Sequence, residues 1–181
     1  MKRFLLLSSL LFAIIHQSCA QSGESDPKIE WMSIEEAEQA AQQEPRPVLI
    51  DVYTDWCGWC KRMDAQTFQH PGIAAYVNEN YYAVKMDGEE KESIQFQGEQ
   101  FDYVARGRRG YHELPAQLLN GKLSYPTVVF LNQELEVIQP VPGYQGPKAF
   151  EKIITYLAEG HYEDQPFEQY KKNYELRLSS N

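Results

Sequence analysis

The chain has 181 residues, enough for one well-cored domain and not comfortably for two. It carries 26 acidic against 17 basic side chains, a net charge of −9, which argues against a nucleic-acid binder built on a basic face. Two of its three cysteines fall in one short stretch, so thiol chemistry, if present, is concentrated there.

The chain opens on Lys2 and Arg3, followed by the mostly apolar run Phe4 to Ile15. That run is too short to cross a bilayer and has the form of a secretory signal. Ser18-Cys19-Ala20 supplies small residues for cleavage before Gln21. Residues 1–20 are therefore expected to be a signal peptide, residues 21–28 a polar linker, and the protein exported, periplasmic. Cys19 offers an alternative, a lipoprotein anchor, but His16-Gln17-Ser18 match the usual lipobox poorly. Membrane contact is expected only if Cys19 is lipidated. Loss of Lys2 and Arg3 leaves 15 bases against 26 acids, a net −11.

The domain proper is expected from residue 29. Ile29-Glu30-Trp31 reads as a short strand. Ser33 and Glu36 form a capping box, so a helix should run from Ile34 to about Gln43, burying Ile34, Ala37 and Ala41. Val48 to Tyr53 is an apolar, buried strand. A helix is expected after the cysteines to about Phe68, then a short one over Ile73 to Glu79. Tyr82 to Met86 is a strand, ended by Asp87-Gly88.

Glu89 to Leu123 has no steady period. Glu89-Glu90-Lys91-Glu92 is charged and solvated. Arg106-Gly107-Arg108-Arg109-Gly110 is a compact basic loop, read as a solvated turn, with a docking patch for an acidic partner as the alternative. His112 to Leu119 reads as a helix with Leu114, Leu118 and Leu119 on one face. Tyr125 to Leu131 and Glu136 to Gln139 make a hairpin, after which Pro140 and Pro142 should break the chain. Pro147 opens a helix with Phe150, Ile153, Ile154 and Leu157 on one face, ended by Gly160. Asp164 to Tyr174 is expected as a last helix on the surface. This order predicts an α/β domain, a central mixed β-sheet with helices on both faces.

The chemistry centres on Trp56-Cys57-Gly58-Trp59-Cys60-Lys61. A strand before and a helix after place Cys57 at a helix start, where unpaired N–H groups and the helix dipole stabilise a thiolate. Cys60, one turn on, can close on Cys57. A structural metal site needs four ligands, commonly with a second Cys or His pair, and His70, His112 and His161 are scattered. A static disulfide usually closes a longer loop. A redox-active pair is the preferred reading, and it requires Cys57 to be open to solvent and more acidic than a free thiol.

These residues resemble the thioredoxin superfamily over roughly Ile34 to Ala158. The hexapeptide is similar to the family's WCxxCK, with Trp59 where thioredoxin itself has proline. Asp51, six residues before Cys57, stands where the family has a buried acid, and Lys85 suits the lysine that pairs with it. Tyr125-Pro126-Thr127 resembles the cis-proline loop. Within the superfamily the chain looks most like small exported bacterial proteins with CxWC sites, which often carry an insert ending in a Leu-rich helix. The resemblance implies a thioredoxin fold with an insert at about 88–124 and a C-terminal extension at about 161–178.

The implied activity is thiol–disulfide exchange, mainly reduction, in the cell envelope. Cys57 and Cys60 would be the redox pair, with Asp51 and Lys85 serving proton transfer. Trp56, Trp59, Tyr125 and Pro126 would meet the substrate. Disulfide-containing exported proteins are the expected partners, with a membrane electron donor and no bound cofactor or metal. The rivals are an oxidase or isomerase with the same site, a non-enzymatic binding module and a copper chaperone.

Overall fold

The computed structural model describes residues 26–179. The expected signal peptide with Cys19, and most of the expected linker, lie outside the described residues.

Five strands form the central sheet: β1 (Trp31–Met32), β2 (Val48–Tyr53), β3 (Tyr82–Asp87), β4 (Thr127–Leu131) and β5 (Val137–Pro142). Their spatial order is β1-β3-β2-β4-β5. β3 runs parallel to β1 and β2, while β2–β4 and β4–β5 are antiparallel, so the sheet is mixed as expected. β2 lies at the centre and is buried on both faces from Val48 to Val52, which explains its unbroken apolar run. Asp51 is the one charged residue within that buried stretch.

The two-residue side-chain period sorts the strand residues between two cores. Leu49, Ala83, Val128 and Phe130 pack with Met63, Ile73, Val77, Phe150 and Ile154 on one face. Val48, Ile50, Val52, Val84 and Leu131 pack with Ile34, Ala37, Leu114 and Leu118 on the other. Asp51 and Lys85, each two residues from a member of the first set, therefore share its face.

The helices that cover these faces start and stop as the local chemistry dictates. α1 (Ile34–Gln43) begins on the capping box of Ser33 and Glu36, both hydrogen bonds present. α2 (Gly58–Met63) carries the cysteine motif, but it does not continue as an ordinary helix to Phe68. Asp64–Phe68 is a π-helical turn, the wider i to i+5 winding that residue propensities do not announce. α3 (Pro71–Asn80) starts two residues earlier than expected, with Pro71 in its first turn.

Between β3 and β4 the aperiodic stretch contains two small hairpins and a helix. Ile94–Phe96 pairs with Glu99–Phe101, and Tyr103–Arg106 pairs with Arg109–His112. Strands of three and four residues are too short to establish an alternation, so the sequence did not reveal them. α4 (Glu113–Leu118) follows directly, with His112 as its cap.

Two expectations near the C-terminus are corrected. Pro140 and Pro142 do not break the chain but lie within β5. β5 is an edge strand, where a missing N–H can face away from the ladder. The last helix starts later than expected: α5 (Pro147–Ala158) is followed by the single turn α6 (His161–Asp164) and then by α7 (Phe167–Asn173), which lies on the surface with only Tyr170 buried, against Tyr156.

Candidate active site

β2 ends at Tyr53, and a short turn delivers Cys57 to the N-cap of α2. The Cys57 N–H donates to the Thr54 carbonyl at 3.0 Å, closing that turn. The Cys57 sulfur accepts from the Cys60 N–H at 3.0 Å, taking the place that a Ser or Asp oxygen takes at other helix starts. Cys57 and Cys60 form a disulfide, with Cα atoms 5.3 Å apart. The two sulfurs are therefore paired, as the spacing predicts.

The exposure of the pair differs from expectation. Cys57 is 6% exposed and Cys60 2%, so both count as buried and Cys57 is not an open sulfur in this oxidised form. Bonding to Cys60 covers part of it, and Cys57 remains the more exposed of the two. The flanking indoles are the opposite: Trp56 and Trp59 are both about half exposed, at 50% and 55%.

Asp51 and Lys85 are register partners on neighbouring parallel strands, and the Lys85 ammonium donates to Asp51 Oδ2 at 2.6 Å. Lys85 also donates to Asp64 of the π-helical turn, a residue that sequence reasoning missed. The aromatic faces of Trp31, Tyr53 and Phe68 surround the ammonium at 4.9–5.3 Å. Burial alone would lower the Lys85 pKa, but Asp51 and Asp64 outweigh it, so Lys85 is held cationic. Asp51 is 1% exposed, and burial raises its pKa to about 6 against the opposing pull of Lys85, with Asp64 adding repulsion. Its other oxygen, Oδ1, is buried and has no hydrogen-bond partner among the described residues. A cleft of about 420 Å³ lined by Lys28, Trp31, Asp64, Phe68 and Lys85 leads solvent to this charged group.

An aromatic residue and an arginine stand on each side of the disulfide. Tyr125 meets the Trp56 ring edge-on at 5.9 Å, and Arg109 stacks over that ring at 4.4 Å. Tyr144 lies 5.6 Å from the Trp59 ring, and Arg62 stacks over both, at 5.2 and 5.6 Å. The basic loop is thus the tip of the second hairpin, and Arg109 is exposed yet packed on Trp56 rather than merely solvated. The Tyr125–Pro126 bond is cis, and Pro126 is buried at the start of β4. Burial, with Glu89 and Asp87 nearby, pushes the Tyr125 hydroxyl up to about 12. A Cβ on Gly88 would meet that hydroxyl at 2.4 Å, so only glycine leaves room for the ring there.

Of the eight residues singled out from the sequence, Cys57 pairs with Cys60, Asp51 with Lys85, and Trp56 with Tyr125. Missed were Asp64, Arg62 and Tyr144. Asp64 had a signal, being four residues beyond Cys60 on one helical face. Arg109 was read as part of the basic loop, but its contact with Trp56 depends on a hairpin that the sequence did not announce.

The model of the family Thioredox_DsbH, described as a protein of unknown function (DUF255), matches residues 16–166. The chain belongs to this family. The Thioredox_DsbH chain has a thioredoxin fold, similar to a solved DsbH oxidoreductase at 18% identity, covering 73% of this chain and 85% of that one with a TM-score of 0.53. It is also similar to a putative disulphide-isomerase from Bacteroides thetaiotaomicron, at 25% identity over 78% of this chain and 99% of that one, with a TM-score of 0.52. A 50-residue segment, 26% of this chain, is 38% identical to the thiol:disulfide interchange protein DsbD of Vibrio vulnificus (strain CMCP6). A 60-residue segment, 33% of this chain, is 33% identical to spermatogenesis-associated protein 20 of Rattus norvegicus. The matched segments span 8% of the length of these two relatives.

Proposed function

We propose that this Thioredox_DsbH chain is a thiol–disulfide oxidoreductase of the cell envelope that reduces disulfides in exported proteins. The observation that carries this reading is the Cys57–Cys60 disulfide at the start of α2, in a domain that also buries Asp51 with one oxygen unpaired among the described residues. The similarity to DsbD, a thiol:disulfide interchange protein by name, and the secretory form of residues 1–20 support the chemistry and the location.

In the reduced state the Cys57 thiolate attacks one sulfur of a substrate disulfide. A Cys57–substrate bond forms, the substrate S–S bond breaks, and the first substrate sulfur leaves as a thiolate that takes a proton from solvent. Asp51 Oδ1 takes the proton of the Cys60 thiol, and Cys60 attacks the Cys57 sulfur. The second substrate thiol leaves, and the Cys57–Cys60 bond closes. The substrate gains two protons, one from solvent and one from Cys60 by way of Asp51, and two electrons from the protein. A membrane electron donor returns the electrons, since an exported protein has no cytosolic reductant at hand. Trp56, Trp59 and the Tyr125–Pro126 edge receive the extended substrate chain beside the sulfurs.

The test is insulin reduction with dithiothreitol, run beside Cys57→Ser. The wild type should accelerate precipitation and the variant should not; equal rates would remove the enzymatic reading. Cys60→Ser should trap substrates as mixed disulfides on Cys57. A redox potential well above that of the glutathione couple would assign the same site to oxidation or isomerisation, the latter being the activity for which the similar Bacteroides protein is named.

A further inference from the structure

The second hairpin has a feature that thiol exchange itself does not use. Its tip carries Arg106, Arg108 and Arg109, all exposed, in a chain of net charge −9. None of the three forms a salt bridge among the described residues, although acids outnumber bases along the chain. Such a charge, with no carboxylate paired to it among the described residues, is available to a partner.

The hairpin is also fixed in place. His112 N–H donates to the Gly88 carbonyl at 2.9 Å, tying the hairpin base to the exit of β3, and Glu113 N–H donates to the Asp102 carbonyl at 3.0 Å, closing the base of the hairpin itself. Tyr103 lies against Gly110, where a Cβ would meet its ring at 2.3 Å, so the two strands close only around glycine. At the tip, Arg109 stacks on Trp56, the residue immediately before Cys57. The positive charge therefore stands over the turn that holds the sulfur. Arg62 stands on the opposite side over Trp59, with no salt bridge of its own among the described residues.

We propose that the Arg106–Arg109 hairpin is a docking surface for an acidic stretch of the substrate protein, lying beside the disulfide to be exchanged. This deepens the oxidoreductase reading and rests on it for the identity of the partner. Carboxylates flanking the substrate disulfide would pair with the arginine forks, while Trp56 and Trp59 hold the apolar part of the segment. Charges at the edge of an interface act mainly on the rate of productive encounter and lose their effect in salt. The selectivity should therefore appear in second-order rates and fade as salt rises.

The experiment uses peptides with one internal disulfide and a common core, flanked by three Glu, three Gln or three Lys. Reduced full-length protein is mixed with each, and formation of the Cys57–Cys60 disulfide is followed by tryptophan fluorescence. Each reaction moves two electrons from the protein dithiol to the peptide disulfide. In parallel, the oxidised protein is titrated with cysteine-free peptides of the same flanks.

Glu-flanked peptide should react about tenfold faster than Lys-flanked peptide at low salt, the ratio falling to about two near 0.5 M. In Arg106→Gln/Arg108→Gln/Arg109→Gln the ratio should approach one. Exchange at the same ratio in wild type and variant, or rates that fall together for all peptides, would overturn the proposal. So would binding of the wild type to phosphatidylglycerol vesicles that the variant loses, without any flank preference, which assigns the hairpin to a membrane surface. Acid-selective binding without exchange keeps the docking surface and sinks the oxidoreductase reading instead. Absence of both sinks both.

Discussion

Asp51 and Glu151 are both carboxylates with at most 1% exposure, and the protein treats them in opposite ways. Asp51 receives one hydrogen bond, from Lys85, and leaves Oδ1 unpaired; its pKa rises to about 6. Glu151 of α5 receives five. Its Oε1 accepts from Tyr174 Oη and from the backbone N–H groups of Arg177 and Leu178, and its Oε2 from the Ser179 N–H and hydroxyl. Burial pushes the Glu151 pKa up, but these donors outweigh it and the net shift is downward. Burial alone therefore does not decide whether a carboxylate keeps its proton; the number of donors aimed at it does. One carboxylate is poised to exchange a proton, and the other is held ionised as a clasp for the C-terminal segment.

The largest effect is expected at the clasp. Glu151→Ala leaves three backbone N–H groups and two hydroxyls without their acceptor and should cost about 3–5 kcal/mol, read from urea unfolding. Hydrogen exchange should speed first across residues 174–179. The same contact sets an acid limit. A carboxylate whose folded pKa is depressed contributes its stability above the unfolded value and loses it as pH falls through the folded one. With an ordinary value of 4.5 and a lowered folded one, the C-terminal segment should loosen progressively below about pH 4.5. Loosening should also expose Gly72, whose α-carbon is so close to Leu178 that a Cβ would lie 2.1 Å from the Leu178 carbonyl oxygen.

The two carboxylates were not equally legible in the sequence. Asp51 stands inside an apolar run, which marked it as buried, and its lysine, 34 residues on, was picked out through the family resemblance. Glu151 sits beside Phe150 on a helix whose apolar face was read correctly, but its donors lie 23 to 28 residues further on. That segment was expected to lie on the surface, so nothing marked Glu151 as buried. The same division runs through the fold. The Ser33–Glu36 box, the β2 run and the α5 face are set by neighbours in sequence, and the structure has them. The insert hairpins, the π-helical turn and the contact of Arg109 with Trp56 depend on pairing or winding that short strands and residue propensities do not encode.

Asp51→Asn should have the next largest effect, opposite in sign to that at Glu151. A raised folded pKa gives stability that is full below the unfolded value and is lost as pH rises through the folded one. Between about 3.8 and 6 the wild type thus loses stability that the asparagine variant retains. A shift of this size corresponds to at most about 3 kcal/mol, and loss of the Lys85 bond reduces the gain to about 1–3 kcal/mol at pH 8. The two proteins should converge below pH 4. The same substitution should slow resolution of the mixed disulfide by about a hundredfold if Asp51 is, as proposed, the base for the Cys60 proton. A variant more stable at pH 8 and equally fast would leave Asp51 as a buried acid without a part in exchange.

Asp64→Asn should produce the smallest change and the most diagnostic one. Asp64 shares Lys85 with Asp51 and repels its charge, so both effects raise the Asp51 pKa. Removing the charge should lower the pH at which resolution slows by less than about one unit and change stability by less than about 1 kcal/mol, because Asp64 is partly exposed to solvent. A midpoint that moves upward would mean that Asp64 acts instead by holding the Lys85 ammonium against Asp51. The direction of that shift separates competition for the lysine from positioning of it, a distinction that distances alone do not make.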